Sequence, residues 1–197
     1  MANEPNLNLE QIYQHYRDIV REHTPKRGRI LKAGAENEMA SESLGIEDVD
    51  VDWDTRATYL EIGQGVIDAA YKNFPLRTFI QGSIVKMEFA DGMFACVIDL
   101  STIDHLLRYD VSKAIGEYWR VLRPGGKLIM VAWCADDPNQ KPMDWGGPQY
   151  FLYERDLLDC LEGWNIGETS VFHRQEGGLY LLHIIATKPR PPRQPKE

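Results

Sequence analysis

The sequence predicts an α/β fold: a doubly wound, mostly parallel sheet with helices on both faces. Three observations carry that reading. Asp91 to Ala132 holds a strand, a helix, a Pro-Gly-Gly break and a second strand in succession. Apolar strand-like runs alternate with helical segments from Arg29 onward. Near the end, two extended stretches flank Gln175-Glu176-Gly177-Gly178, the signal of a closing antiparallel hairpin. A helix returning the chain to a parallel strand makes a crossover that is right-handed in nearly all proteins. One such unit fixes the class of the sheet.

Each element has its own signal. Leu9, Ile12, Tyr13, Tyr16, Ile19 and Val20 recur at helical spacing, so residues 1–28 are expected to form a helical lid ahead of the sheet. Arg29 to Ala33 reads as the first strand and Asp48 to Asp52 as the second. Ala57 to Asn73 is helical in composition, although Gly63 and Gly65 weaken it. Arg77 to Gly82 is a third strand. Phe94 to Leu100 is almost wholly apolar, as a strand covered on both faces must be. Asp110 is placed to cap a helix from Val111, whose apolar positions Val111, Ile115, Tyr118, Trp119 and Leu122 share one face. Pro124-Gly125-Gly126 stops that helix, and Lys127 to Ala132 is the returning strand. Asp136 to Tyr150, rich in Pro, Asp, Gly and Asn, is a loop over the sheet's carboxyl edge, followed by a short helix from Tyr153 to Leu161. Asn165 to His173 and Leu179 to Thr187 are the hairpin strands. Residues 29–189 thus form one domain, and the proline-rich, charged tail 190–197 is expected to be disordered.

Composition narrows the function. A chain of 197 residues with 43% hydrophobic residues and five Trp has the makings of a single packed core. No apolar run approaches the roughly 18 residues that span a membrane, and the polar Met1 to Leu7 is unlike a secretory signal. Cys96, Cys134 and Cys160 are odd in number and lack metal-type spacing, which points to reduced thiols in a cytoplasmic protein without a bound metal. A net charge of −8 argues against general nucleic-acid binding and favours a small-molecule substrate.

The residues Asp91-Gly92-Met93-Phe94, Val97-Ile98-Asp99-Leu100, Asp104-His105-Leu106 and Arg120 to Leu128 together resemble the closing half of class I S-adenosylmethionine (SAM) dependent methyltransferases, in particular the small-molecule, type 11 branch. The resemblance runs from about Arg29 to Pro189. It implies a Rossmann-like sheet of about seven strands with a C-terminal antiparallel hairpin, SAM as cofactor, and a small acceptor as substrate. It also implies a site beyond the carboxyl ends of the strands, where the strand order switches. A degenerate member that no longer binds SAM and serves as a partner subunit or binding module, or as a homodimer, is the alternative. A nicotinamide-dependent oxidoreductase is disfavoured, because no Gly-x-Gly-x-x-Gly follows the first strand.

The family's glycine-rich loop is altered here. An acidic residue followed by Gly-x-Gly-x-Gly is usual, and the corresponding residues are Lys32-Ala33-Gly34-Ala35-Glu36-Asn37-Glu38. Lys32 stands where a carboxylate would meet the cofactor's ammonium group, an interaction on the order of 4 kcal/mol at about 4 Å and an effective dielectric near 20, so its sign matters. Glu36 and Glu38 either offset that charge, pair with Lys32 and neutralise it, or sit in a solvated first helical turn. Tyr59-Leu60-Glu61-Ile62-Gly63-Gln64-Gly65 is a rival placement of the motif, locally the better match but leaving too little chain before the third strand. Asp52, with Trp53 beside it, ends the expected second strand, where an acid accepts hydrogen bonds from ribose hydroxyls. Gly82, Ser83 and Ile84 stand at the adenine position, and Asp99, Leu100 and Ser101 face the sulfonium. Asp104 and His105 are the candidate acid–base pair, His105 being either a general base or a structural residue. Tyr16, Trp133, Trp145 and Tyr150 are the candidate acceptor residues, or else core aromatics.

Overall fold

The computed structural model describes residues 7–34, 56–136, 152–174 and 178–192. Asn8 opens helix α1 (Leu9–His23) with a reciprocal capping box: its side chain accepts from the Gln11 amide at 2.9 Å while the Gln11 side chain accepts from the Asn8 amide at 2.9 Å. Strand β1 (Ile30–Ala33) follows, every residue buried. Next come β2 (Ala57–Glu61), α2 (Gln64–Asn73), β3 (Thr78–Gln81) and β4 (Phe94–Leu100). A 3-10 turn at Ile103–His105 leads to α3 (Arg108–Val121), β5 (Leu122–Ala135), α4 (Glu154–Cys160), β6 (Asn165–Arg174) and β7 (Leu179–Thr187).

The strands form one seven-stranded sheet in the order β3-β2-β1-β4-β5-β7-β6. The first five are parallel to their neighbours, and β7 pairs antiparallel with both β5 and β6. This is the expected Rossmann-like, doubly wound sheet closed by a hairpin. Apolar side chains cluster on both faces. One core joins Leu31, Val97 and Met130 to Val111, Ile115 and Tyr118 of α3; the other joins Ile30, Ile98 and Ile129 to Ile12, Tyr16 and Ile19 of α1 and Ile67 of α2. Both faces of β4 are therefore covered, and all seven of its residues are buried. No helix among the described residues is long and apolar enough to cross a membrane.

Three expectations are corrected. The strand beside β1 is Ala57–Glu61, with Ile30 opposite Ala57 and Ala33 opposite Leu60, so the segment expected as one helix from Ala57 to Asn73 divides into a strand and α2. Tyr59 and Leu60 are fully inside the sheet, where tertiary burial outweighs helical composition, and Gly63 supplies the extended residue that precedes α2. The neighbours of β1 are β2 and β4, and the expected second strand Asp48 to Asp52 lies outside the described residues. Helix α3 begins at Arg108, and Leu107 precedes it without a side-chain cap. Asp110 sits inside its first turn, favoured there by the helix dipole, and accepts from Lys113 at 2.7 Å. Finally, Pro124-Gly125-Gly126 does not separate helix from strand but lies within β5, and the register shift between Phe94 and Cys96 absorbs it. Gly125, at φ +77°, donates to the Lys188 carbonyl at 2.8 Å and so ties this edge to the end of β7.

The turn into β1 depends on Gly28. Its φ is +106°, and a Cβ there would lie 2.5 Å from the Ala95 side chain in β4. Gly28→Ala is expected to cost about 2 kcal/mol, read as a lower urea midpoint at unchanged slope; an unmoved midpoint would show that the turn relaxes freely.

Candidate functional site at the strand switch

Because β1 pairs with β2 on one side and β4 on the other, the chain leaves β1 in one direction and returns in the other, opening a crevice at their carboxyl ends. Gly34 begins the loop at that point. It adopts φ +74°, its amide donates to the Leu60 carbonyl at 2.8 Å, and a Cβ would lie 2.4 Å from the Thr102 hydroxyl oxygen. That hydroxyl donates to the Ala33 carbonyl at 2.9 Å, so glycine is required by the closeness of the β4 loop.

Lys32 is fully buried. Its ammonium reaches forward along its own strand, donating to the carbonyls of Ala33 at 3.1 Å and Gly34 at 3.3 Å. Its cation is therefore held by the strand end and also acts on Asp99, one residue further along the neighbouring strand. Asp99 is fully buried too. One oxygen accepts from the Tyr118 hydroxyl at 2.6 Å, and the other from the amides of Thr102 at 2.8 Å and Ile103 at 3.3 Å. Burial pushes its carboxyl upward, and Tyr118, Thr102, Lys32 and Ile103 pull it back. Burial, and then Asp99, push the Tyr118 phenol well above its ordinary value. Asp99 thus faces the sheet's own scaffold.

Ser101 has φ +61°, unusual for a residue with a side chain, and its amide donates to the Val131 carbonyl at 2.8 Å. This backbone aims its hydroxyl at Tyr16 of α1, 3.1 Å away. Tyr16 is 4% exposed, and burial raises its phenol above the usual range. The candidate acid–base pair is split. Asp104 is 1% exposed, whereas the His105 side chain stands in solvent, its backbone amide donating to Thr102 at 3.2 Å. Among the described residues neither Asp104 carboxyl oxygen has a well-formed hydrogen bond. Burial and the neighbouring Asp99 push Asp104 up to about 8, and the Asp104 and Trp133 amides offset only part of this. Asp104 is therefore a neutral acid at pH 7.

The acid at the end of the strand beside β1 is Glu61, not Asp52. Glu61 is buried, and one carboxylate oxygen accepts from the Gly63 amide at 2.9 Å. The phrase weighed as a rival glycine motif is thus the strand, turn and helix start of β2 and α2, and the central strand β1 carries Lys32-Ala33-Gly34. Beyond β3, the Gly82 amide donates to the Glu61 carbonyl at 2.9 Å, and a Cβ on Gly82 would meet Leu60 at 2.8 Å. Ser83 accepts from the Val85 amide at 3.4 Å, and Ile84 and Leu100 are buried. Trp133 is buried with its ring edge-on to His173. Glu36, Glu38, Asp52, Trp53, Trp145 and Tyr150 lie outside the described residues. Past the end of β5, Ala135, Asp136, Tyr153, Glu154, Leu158 and Tyr180 line an open cleft of about 470 Å³.

Sequence reasoning missed Thr102, weighed Glu61 only within the rival glycine motif, and read Tyr118 only as a helix-face residue. The acid at the end of a strand next to a Gly-x-Gly was the available signal for Glu61.

Asp104 sets a pH dependence whose sign follows from linkage. In the unfolded chain the carboxyl loses its proton near pH 4, whereas in the fold it keeps it to about 8, so its contribution to stability falls as pH rises between those values. Asp104→Asn is expected to raise the melting temperature, and to do so more at pH 8 than at pH 5. An equal effect at both pH values would show that Asp104 is charged in the fold.

Comparison with known proteins agrees with this architecture. A family description of a methyltransferase domain matches residues 31–130, beginning on β1. An Encephalitozoon cuniculi protein named "Putative methyltransferase" is 26% identical over 109 residues, covering 53% of this chain and 48% of that protein. The chain therefore spans about half the length of this curated relative. Among solved structures, the N-methyltransferase NodS from Bradyrhizobium japonicum, in complex with S-adenosylhomocysteine, is 15% identical with TM-score 0.70, covering 95% of this chain and 90% of that one. The [4+2]-cyclase SpnF is also 15% identical with TM-score 0.70, covering 96% and 86%. Geranyl diphosphate C-methyltransferase from Streptomyces coelicolor is 11% identical with TM-score 0.67, covering 91% and 82%. At these identities the solved structures speak to fold. The family match, the parallel sheet switching between β1 and β4, and the antiparallel β7 lead to one conclusion: this chain belongs to the class I SAM-dependent methyltransferase family.

Proposed function

We propose that this chain is a SAM-dependent methyltransferase acting on a small-molecule acceptor. The observation that carries the reading is the pairing of Glu61 with Gly34 at adjacent parallel strand ends. A carboxylate at the end of β2 suits the two ribose hydroxyls, and Gly34, seated against Thr102, begins the loop that borders the crevice where the methionine end would lie. Gly82, Ser83 and Ile84 beyond β3 supply a small polar group and an apolar wall for the adenine. These residues fit the cofactor. SAM, when bound, supplies an electrophilic methyl group.

The chain's own residues then have positioning roles. Tyr16 and Ser101 tie α1 over the end of β4. Asp104, neutral at pH 7, offers a proton rather than a negative charge to anything placed beside it. The cleft beyond β5 is the site we assign to the acceptor, and alignment by proximity serves methyl transfer without a strong base.

Lys32 favours a second reading, a degenerate member that has lost SAM binding. It places a buried cation where the family pattern has an acid. Asp99 and the two carbonyls that Lys32 bonds offset that charge, which is why the enzyme reading leads.

Calorimetric titration with SAM and with S-adenosylhomocysteine separates the two readings. The proposal expects both to bind, with the neutral-sulfur product tighter, and Glu61→Gln to weaken both by about tenfold, near 1.4 kcal/mol. No heat and no thermal shift with either ligand at millimolar concentration would establish the degenerate reading.

A further inference from the structure

Four of the chain's five histidines, His15, His23, His173 and His183, gather where α1 packs on the β6–β7 hairpin. The topology explains the gathering. His183 of β7 stands opposite Ser170 of β6, and Ile185 opposite Glu168, so Glu168, Ser170 and His183 share the sheet face that α1 covers. On α1, His15 and His23 lie eight residues apart, and the His183 ring sits between them at 6.1 and 6.0 Å.

We propose that His23, Glu168 and His183 form a divalent metal site, selective for zinc-class ions, that clamps α1 to the β6–β7 hairpin. Ligand atoms of these three residues all lie within 4.8 Å of one another. The His23 Nε2 is 3.7 Å from one Glu168 carboxylate oxygen and the His183 Nδ1 is 3.9 Å from the other. In a tetrahedral shell with bonds of about 2.0–2.1 Å, ligand atoms sit about 3.3 Å apart, so the three must draw together by roughly 0.4 to 1.5 Å. The half-exposed Glu168 has the freedom to make most of that movement. Two imidazoles and one carboxylate form a donor set typical of zinc, with one position left open for water.

His183 is 2% exposed, so packing holds its ring in place with Nδ1 turned toward Glu168. Ser170 hydrogen-bonds the His183 Nδ1 at 3.3 Å and would yield that nitrogen on metal binding. The clamp also bears on the crevice, since the same helix carries Tyr16 to Ser101.

The test is titration of the full chain with Zn²⁺ against a chromophoric chelator, and with Co²⁺ read by visible absorption. Expected are one equivalent per chain, a four- or five-coordinate Co²⁺ spectrum without thiolate charge transfer, a higher melting temperature, and slower amide exchange in α1. Glu168→Gln and His23→Gln, both at accessible positions, should each weaken binding about tenfold or more. His183→Gln should do the same, but the surface pair keeps the test decisive if that buried variant misfolds. No stoichiometric uptake, a thiolate spectrum, or affinity unchanged in Glu168→Gln and His23→Gln would overturn the site and leave a His–Glu surface ion pair.

Discussion

The buried Asp99 carboxyl is the interaction on which the site depends. It takes a hydrogen bond from Tyr118 on α3 and two from the amides of the turn that follows β4. That turn places Thr102 against Gly34 and Ser101 against Tyr16. A single carboxyl therefore joins a helix on one sheet face, the central strand and the helix on the other face. Removing it would leave the Tyr118 hydroxyl and two amides buried without an acceptor, the kind of loss that costs far more than the net value of the bonds themselves.

Charge at the strand switch is managed locally. Lys32 is the only fully buried lysine among the described residues, and it lies within one residue of Asp99 across the β1–β4 ladder. Its ammonium spends its hydrogen bonds on carbonyls at the end of its own strand. Asp104, a short distance along the chain, lacks comparable partners and is held neutral by burial. Burial pushes both Asp99 and Asp104 upward, but only Asp99 is supplied with strong hydrogen-bond donors.

The second face has a different logic. There α1 covers the sheet through Ile12, Tyr16, Ile19 and Val20, and the polar residues at its margins meet histidines and Glu168 of the hairpin. The antiparallel pair that closes the sheet thereby also makes a contact surface for the N-terminal helix. Such a fold hosts more than one chemistry: a cyclase and methyltransferases share this architecture.

The sequence by itself determined the fold class, the crossover from Asp91 to Ala132, the closing hairpin and the family. These rest on periodicity, strand apolarity and local turn chemistry, which are properties of neighbouring residues. It also singled out Gly34, Asp99, Ser101, Asp104 and Tyr16, because they lie at the ends of strands or on a helix whose spacing was legible. Only the tertiary structure decided which strand lies beside β1, since a five-residue run such as Ala57–Glu61 owes its extended form to pairing with Ile30–Ala33 rather than to its own preference. That decision put Glu61 at the end of the strand beside β1, where the sequence had suggested Asp52. Burial likewise separated Asp104 from His105, adjacent in sequence and on opposite sides of solvent. Long-range packing brought together His15, His23 and His183, up to 168 positions apart, as no local pattern could have announced.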